Sequence, residues 1–351
     1  MQFTDKERPT RAASAKVVQA PLSSSRSFPD IKKTGEEPVT GIGVKSLQPK
    51  VKAINASRTQ GKQSMSLVFL KRLSNKHTWK RLLYERLSEP LHLNLMSLFV
   101  LIFGNLRLKI DFDLIIRQHH AYALLDAADQ AKSLGYKQIS VFEFGVAAGA
   151  GLLNLQGIAN KITAFTGVSI RIFGFDTGSG MPPPVSYKDH PELYQAGDFP
   201  MNSMELSEKL DSQTRLILGP IVESINNLNI DFSDAPIAFI SLDVDYFSSS
   251  VDALKLLEYG ASNYLPRVII YLDDVEELSH NSFCGEEGAV REFTRQHPNR
   301  PIERHVFCRG HRLFKNARWI DHMYQCHILD HPIRNNLTPN RDKAILNNPY
   351  L

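Results

Sequence analysis

From Lys137 onward the chain repeats a pattern that few folds accommodate: a continuous apolar run stopped by Gly, Asp or Pro, then an apolar row at helical spacing. The runs are QISVFEF (138–144), IRIFGF (170–175), TRLIL (214–218), IAFISL (237–242) and RVIIYL (267–272). A strand that is apolar on both faces must be covered on both, which a parallel sheet flanked by helices achieves. Leu155, Ile158, Ile162 and Phe165 recur before Gly167, and Val251, Leu254 and Leu257 recur before Gly260. Each row reads as an amphipathic helix with a glycine stop. The expected fold class is α/β, a Rossmann-like doubly wound, mostly parallel sheet. IERHVF and HRLF, around Cys308, Arg309 and Gly310, predict a C-terminal antiparallel hairpin closing one edge.

Charge divides the chain differently. Residues 1–90 hold 18 Lys and Arg against 7 Asp and Glu, a net of +11; the other 261 residues hold 23 against 30, a net of −7. Residues 1–60 mix Ser, Pro, Lys and Arg with few aromatics and are expected to be a disordered basic segment, since they cannot bury enough apolar surface to offset chain entropy. Residues 61–135 predict a helical lead-in: a basic amphipathic stretch, KRLSNKHTWKRLLYERL, then an apolar run at 91–103 read as a buried helix, then AYALLDAADQAKSLGY ending at Gly135. Residues 136–320 form the expected α/β domain, and 321–351 a C-terminal tail. Three cysteines without a C-x-x-C pair suit a reducing cytosol. No run reaches the roughly 20 residues of a membrane span. The expected location is therefore cytoplasmic.

In an open parallel sheet, ligands bind beyond the carboxyl ends of the strands. The first strand ends in Glu143-Phe144-Gly145-Val146-Ala147-Ala148-Gly149-Ala150-Gly151, small residues that let a ligand approach the backbone at a helix start, or that simply make a tight turn. The dinucleotide fingerprint fails at its third glycine. The second ends in Asp176, placed to accept both hydroxyls of a ribose or to cap the turn before Thr177-Gly178. The fourth and fifth end in Asp243, Asp245, Asp273 and Asp274. So many carboxylates on one rim call for a cation or hydrogen-bond donors, and a hard divalent ion such as Mg²⁺ takes oxygen ligands of this kind; helix capping is the competing use.

Taken in order, Glu143-x-Gly145-x-Ala147-x-Gly149, Phe175-Asp176 leading to Gly180-Met181-Pro182, Asp243-x-Asp245, Asp273-Asp274, and Gly288-Ala289-Val290 with Phe293 and His297 resemble the macrocin O-methyltransferase family of class I S-adenosylmethionine-dependent methyltransferases. The resemblance covers about residues 136–320. It implies that Gly145, Ala147 and Gly149 line the methionine part of S-adenosylmethionine, with Glu143 behind its amino group, Asp176 on the ribose and Asp243 near the sulfonium or ordering the surroundings of the metal ligands. It implies Mg²⁺ on Asp245, Asp273 and Asp274, with Asp245 catalytic in orienting a small-molecule hydroxyl acceptor. Related catechol-type enzymes carry a Lys one turn after the metal-binding Asp; here Ser248 stands three residues after Asp245, and His280 becomes the candidate base.

The residues leave two rivals. An NAD-dependent oxidoreductase would share the glycine loop and Asp176, and a non-catalytic binding or scaffold protein would keep the fold without turnover. Nucleic acid is not expected as a partner of the core, and a homo-oligomer is compatible with the sequence. The basic N-terminal segment suits an acidic partner or a membrane surface, a solvated helix face being the competing reading of its charge. The long segment from Met181 to Met204, with Tyr187, His190, Tyr194 and Phe199, is expected to cover the acceptor.

Overall fold

The structure, a computed structural model, describes residues 82–275 and 281–335; the expectation for residues 1–60 and the candidate base His280 lie outside them. All five apolar runs form parallel strands: β1 (Gln138–Phe144), β2 (Ser169–Asp176), β3 (Thr214–Leu218), β4 (Ile237–Leu242) and β5 (Tyr264–Leu272). With β6 (Ile302–Arg304) and β7 (Met323–His327) they make one seven-stranded sheet in the order β3-β2-β1-β4-β5-β7-β6.

Period-two alternation distributes the strand side chains to two cores. On one face Ile139 and Val141 of β1 pack with α3 (Gln118–Ser133) and α4 (Ala150–Thr166) through Leu124, Leu152 and Leu155. On the other Phe142 and Phe144 stack on Phe173 and Phe175 and pack toward α7 (Phe247–Leu254) and α8 (Gly285–Gln296). The strand order reverses between β1 and β4, and a crevice opens there at the carboxyl ends.

Three expectations are corrected. The antiparallel hairpin exists, but β6 pairs with β7, whereas residues 308–311 form a short helix. Because β7 also pairs antiparallel with β5, it sits inside the sheet, so the domain extends beyond residue 320 into the stretch read as a tail. The apolar run does form a helix, α1 (Leu91–Phe103), yet only Ser97 and Val100 are buried along it. Val100 packs with Phe112 and Phe314, half-buried Leu93 packs against them, and the other eight apolar side chains of the helix are exposed. A second short helix, α2 (Leu106–Asp111), follows. No helix among the described residues is long and apolar enough to cross a membrane.

Candidate functional site

The residues at the ends of β1, β2, β4 and β5 converge on one cavity of about 610 Å³, lined by Glu143, Gly145, Ala147, Asp176, Asp243, Asp245, Asp273 and Asp274 among others. Glu143 takes the third place in the row Ile139, Val141, Glu143, which points it under the first turn of α4. It is 2% exposed, and its Oε2 has no hydrogen-bond partner among the described residues. Burial, then the charge of Asp243, pushes its carboxyl up to about 8.

The loop around it has little freedom. A Cβ on Gly145 would lie 1.7 Å from the carbonyl oxygen of Asp243, and one on Gly151 would lie 2.1 Å from Oε1 of Glu143. Gly149 has φ +83°, and Ala147 holds φ +46°, a conformation costly for a residue with a Cβ. Asp176 fastens this loop: its Oδ2 accepts from Val146 N (3.0 Å) and Ala147 N (2.8 Å), and its Oδ1 from Gly178 N (2.7 Å). The turn-capping use of Asp176 is therefore realised. Oδ1 accepts one bond where a carboxylate oxygen has room for two.

Glu286 does something the sequence did not disclose. It is fully buried at the start of α8 and accepts from Val244 N (3.3 Å) and Asp274 N (3.2 Å), tying the ends of β4 and β5 together. Burial, then Asp243, holds its carboxyl well above the usual range. Asp274 is likewise raised by burial, then by Glu286, Asp245 and Asp243, and it hydrogen-bonds Asp245. Asp243 is raised by burial, then by Asp273 and Asp245. Tyr271 donates to Asp273 at 3.0 Å.

These acids are oxygen donors of the type Mg²⁺ takes, but they face one another. No group of three or more His, Cys, Asp or Glu side chains among the described residues is arranged to hold a metal ion. The set Asp245, Asp273 and Asp274 is thus brought to one rim without forming a chelating group. Among the described residues the lining includes seven carboxyl groups, counting Asp198, and Arg117 as its single Lys or Arg. Arg117, at φ +53° immediately before α3, escaped the sequence reading, as did Asp189.

Asp189, completely buried, organises the segment after β2. Its Oδ2 accepts from Val185 N (2.7 Å) and Ser186 N (3.1 Å), and its Oδ1 from Ser248 N (2.8 Å) in the first turn of α7. The segment then contributes Leu193, Tyr194, Asp198 and Phe199 to the cavity wall. Tyr246 is buried in the core, against the edge of Tyr194. His311 is exposed on the short helix and does not line the cavity.

No family model matches the chain, and no curated protein matches its sequence. Solved structures overlap it at low identity. The calicheamicin methyltransferase CalS11 is 17% identical, over 67% of this chain and 91% of that one, with a TM-score of 0.43. An rRNA methylase from Streptococcus thermophilus is 13% identical over 58% and 95%, at 0.30. The plantazolicin methyltransferase BpumL, in complex with a monoazolic desmethylPZN analog and SAH, is 13% identical over 52% and 66%, at 0.27. At these scores the likenesses stand beside the geometry without adding to it.

Proposed function

We propose that the protein is an S-adenosylmethionine-dependent methyltransferase acting on a hydroxyl of a small molecule. The observation that carries the reading is the acidity of the cavity: among the described residues seven carboxyl groups line it against one arginine, so acidic groups outnumber the cation even with Glu143, Asp243 and Asp274 held toward their neutral form by burial. A dinucleotide's pyrophosphate would meet like charge there, whereas a ligand bearing a sulfonium and an ammonium meets opposite charge. That disfavours NAD, and it disfavours acceptors whose phosphates must enter the cavity.

S-adenosylmethionine supplies an activated methyl group on sulfur. Glu143 is assigned to its ammonium, which would give Oε2 a donor and favour the ionised carboxylate. Gly145, Ala147 and Gly149 would line the methionine part. The remaining capacity of Oδ1 on Asp176 suits a ribose hydroxyl, and Asp243 would lie toward the sulfonium. Asp245 is assigned to orient the acceptor oxygen for in-line attack, where positioning supplies most of the rate. The acceptor's proton leaves to a base for which His280 remains the sequence candidate.

No step is routed through Mg²⁺, because the acids of the rim partner each other. Turnover that continues in chelator is the expected result; its loss would restore Asp245, Asp273 and Asp274 as ligands brought together by the acceptor. The cofactor reading is tested by calorimetry with S-adenosylmethionine, its demethylated product and NAD. Binding of both sulfur ligands and not NAD is expected, and absence of binding by either sulfur ligand would overturn it.

A further inference from the structure

Helix α1 does not behave as a core helix. Eight of the 13 residues of α1 are large apolar side chains more than half exposed; Leu98, Phe99, Ile102 and Phe103 are 62 to 70% exposed. The helix carries no Asp, Glu, Lys or Arg. At about 100° per residue, its exposed apolar positions span more than half of the circumference.

A face that broad is poorly matched by one partner helix, which covers a narrower stripe; a fluid apolar phase can surround it. At about 1.5 Å per residue the helix is roughly 20 Å long, short of the roughly 30 Å of a bilayer core. It would therefore lie in the interface. Sequence charge points the same way. Lys71, Arg72, Lys76, Lys80 and Arg81 precede it with no acid from Gln63 to Tyr84. Arg86 is already engaged, stacked over Phe314 at 3.9 Å and donating to the carbonyl of Phe112 at 2.6 Å. Pairing α1 with α1 of a second copy would bring two segments of net +11 together, whereas an anionic surface attracts them.

We propose that α1 inserts its apolar face into a lipid surface whose anionic headgroups are attracted by the basic sequence that precedes the helix. The inference does not depend on the methyltransferase reading. It is tested with the full chain by sedimentation with vesicles of phosphatidylcholine alone or mixed with phosphatidylserine, at low and high salt. Binding to the mixed vesicles is expected, weakened by salt and at least about tenfold weaker in the pair Phe99→Asp, Ile102→Asp. Replacing the five basic residues with Gln should remove the preference for phosphatidylserine. Unfolding curves check that the variants fold, and the pair Phe99→Ser, Ile102→Ser replaces the aspartates if they do not. Failure of the wild type to bind mixed vesicles would overturn the proposal, as would undiminished binding by both pairs. A dimer in light scattering that dissociates in Phe99→Asp, Ile102→Asp, without vesicle binding by the wild type, would instead assign the face to a second copy.

Discussion

Glu143 is the residue where stability and ligand binding pull against each other. With its carboxyl raised to about 8 from an ordinary 4.5, the folded chain holds a proton that the unfolded chain releases between those values. Its contribution is therefore fully favourable below about pH 4.5 and is lost as pH rises through about 8, by a few kcal/mol at most. Ligand-free protein should melt at lower temperature at pH 9 than at pH 5, and Glu143→Gln should flatten part of that slope. Parallel melting curves for the two proteins would contradict this. Gly145→Ala makes a harder demand, since the new methyl would occupy the space of the Asp243 carbonyl. A loss of more than about 3 kcal/mol in denaturant unfolding is expected, comparable to severe overpacking, together with loss of S-adenosylmethionine binding. Glu143, Gly145, Asp176 and the four acids ending β4 and β5 were legible because a strand end fixes where its last residues lie. Glu286 and Asp189 were not, because their partners Val244 and Ser248 lie 42 and 59 residues away and depend on the path of loops.

Among the elements, the segment between β2 and α5 (Ser203–Ser207) is tied to the backbone of α7 by the carboxylate of Asp189. Asp189→Ala would leave the amides of Val185, Ser186 and Ser248 without their acceptor, one of them in the first turn of α7. A cost of roughly 2 to 3 kcal/mol is expected in denaturant unfolding, since each buried unsatisfied donor costs about 1 to 3 kcal/mol and the site relaxes. Once an acceptor is known, its KM should rise more than kcat falls, because the segment supplies cavity wall. A change in kcat alone would argue against that role. Periodicity revealed this segment as a long insertion without showing what pinned it. The misreading of α1 has a related cause: thirteen residues, ten of them apolar, specify a helix, but not whether anything covers it.

For the whole molecule, the described part of the lead-in is joined to the far end of the chain. Arg312 donates to Asp113 at 2.8 Å, both side chains nearly inaccessible, and to the carbonyl of Ile110, while Phe112 and Phe314 pack edge to face. Breaking a buried pair on one side strands the other charge, so Arg312→Met should cost about 3 to 5 kcal/mol in denaturant unfolding. Adding Asp113→Leu should recover much of it; equal losses in the single and double variants would show that the pair is not what holds these parts together. The five parallel strands were readable from their apolar runs, but MYQCH carries Gln and His and showed no such run, so the interior strand β7 was missed. Its placement bears on the order in which the chain can mature. During synthesis β6 emerges before β7, yet its neighbour in the sheet is β7, as is that of the free edge of β5. Until residues 323–327 have left the ribosome, β6 has no seat and β5 remains an open edge. A premature stop just before Met323 would therefore unseat a strand already translated, so the damage would reach upstream of the lesion.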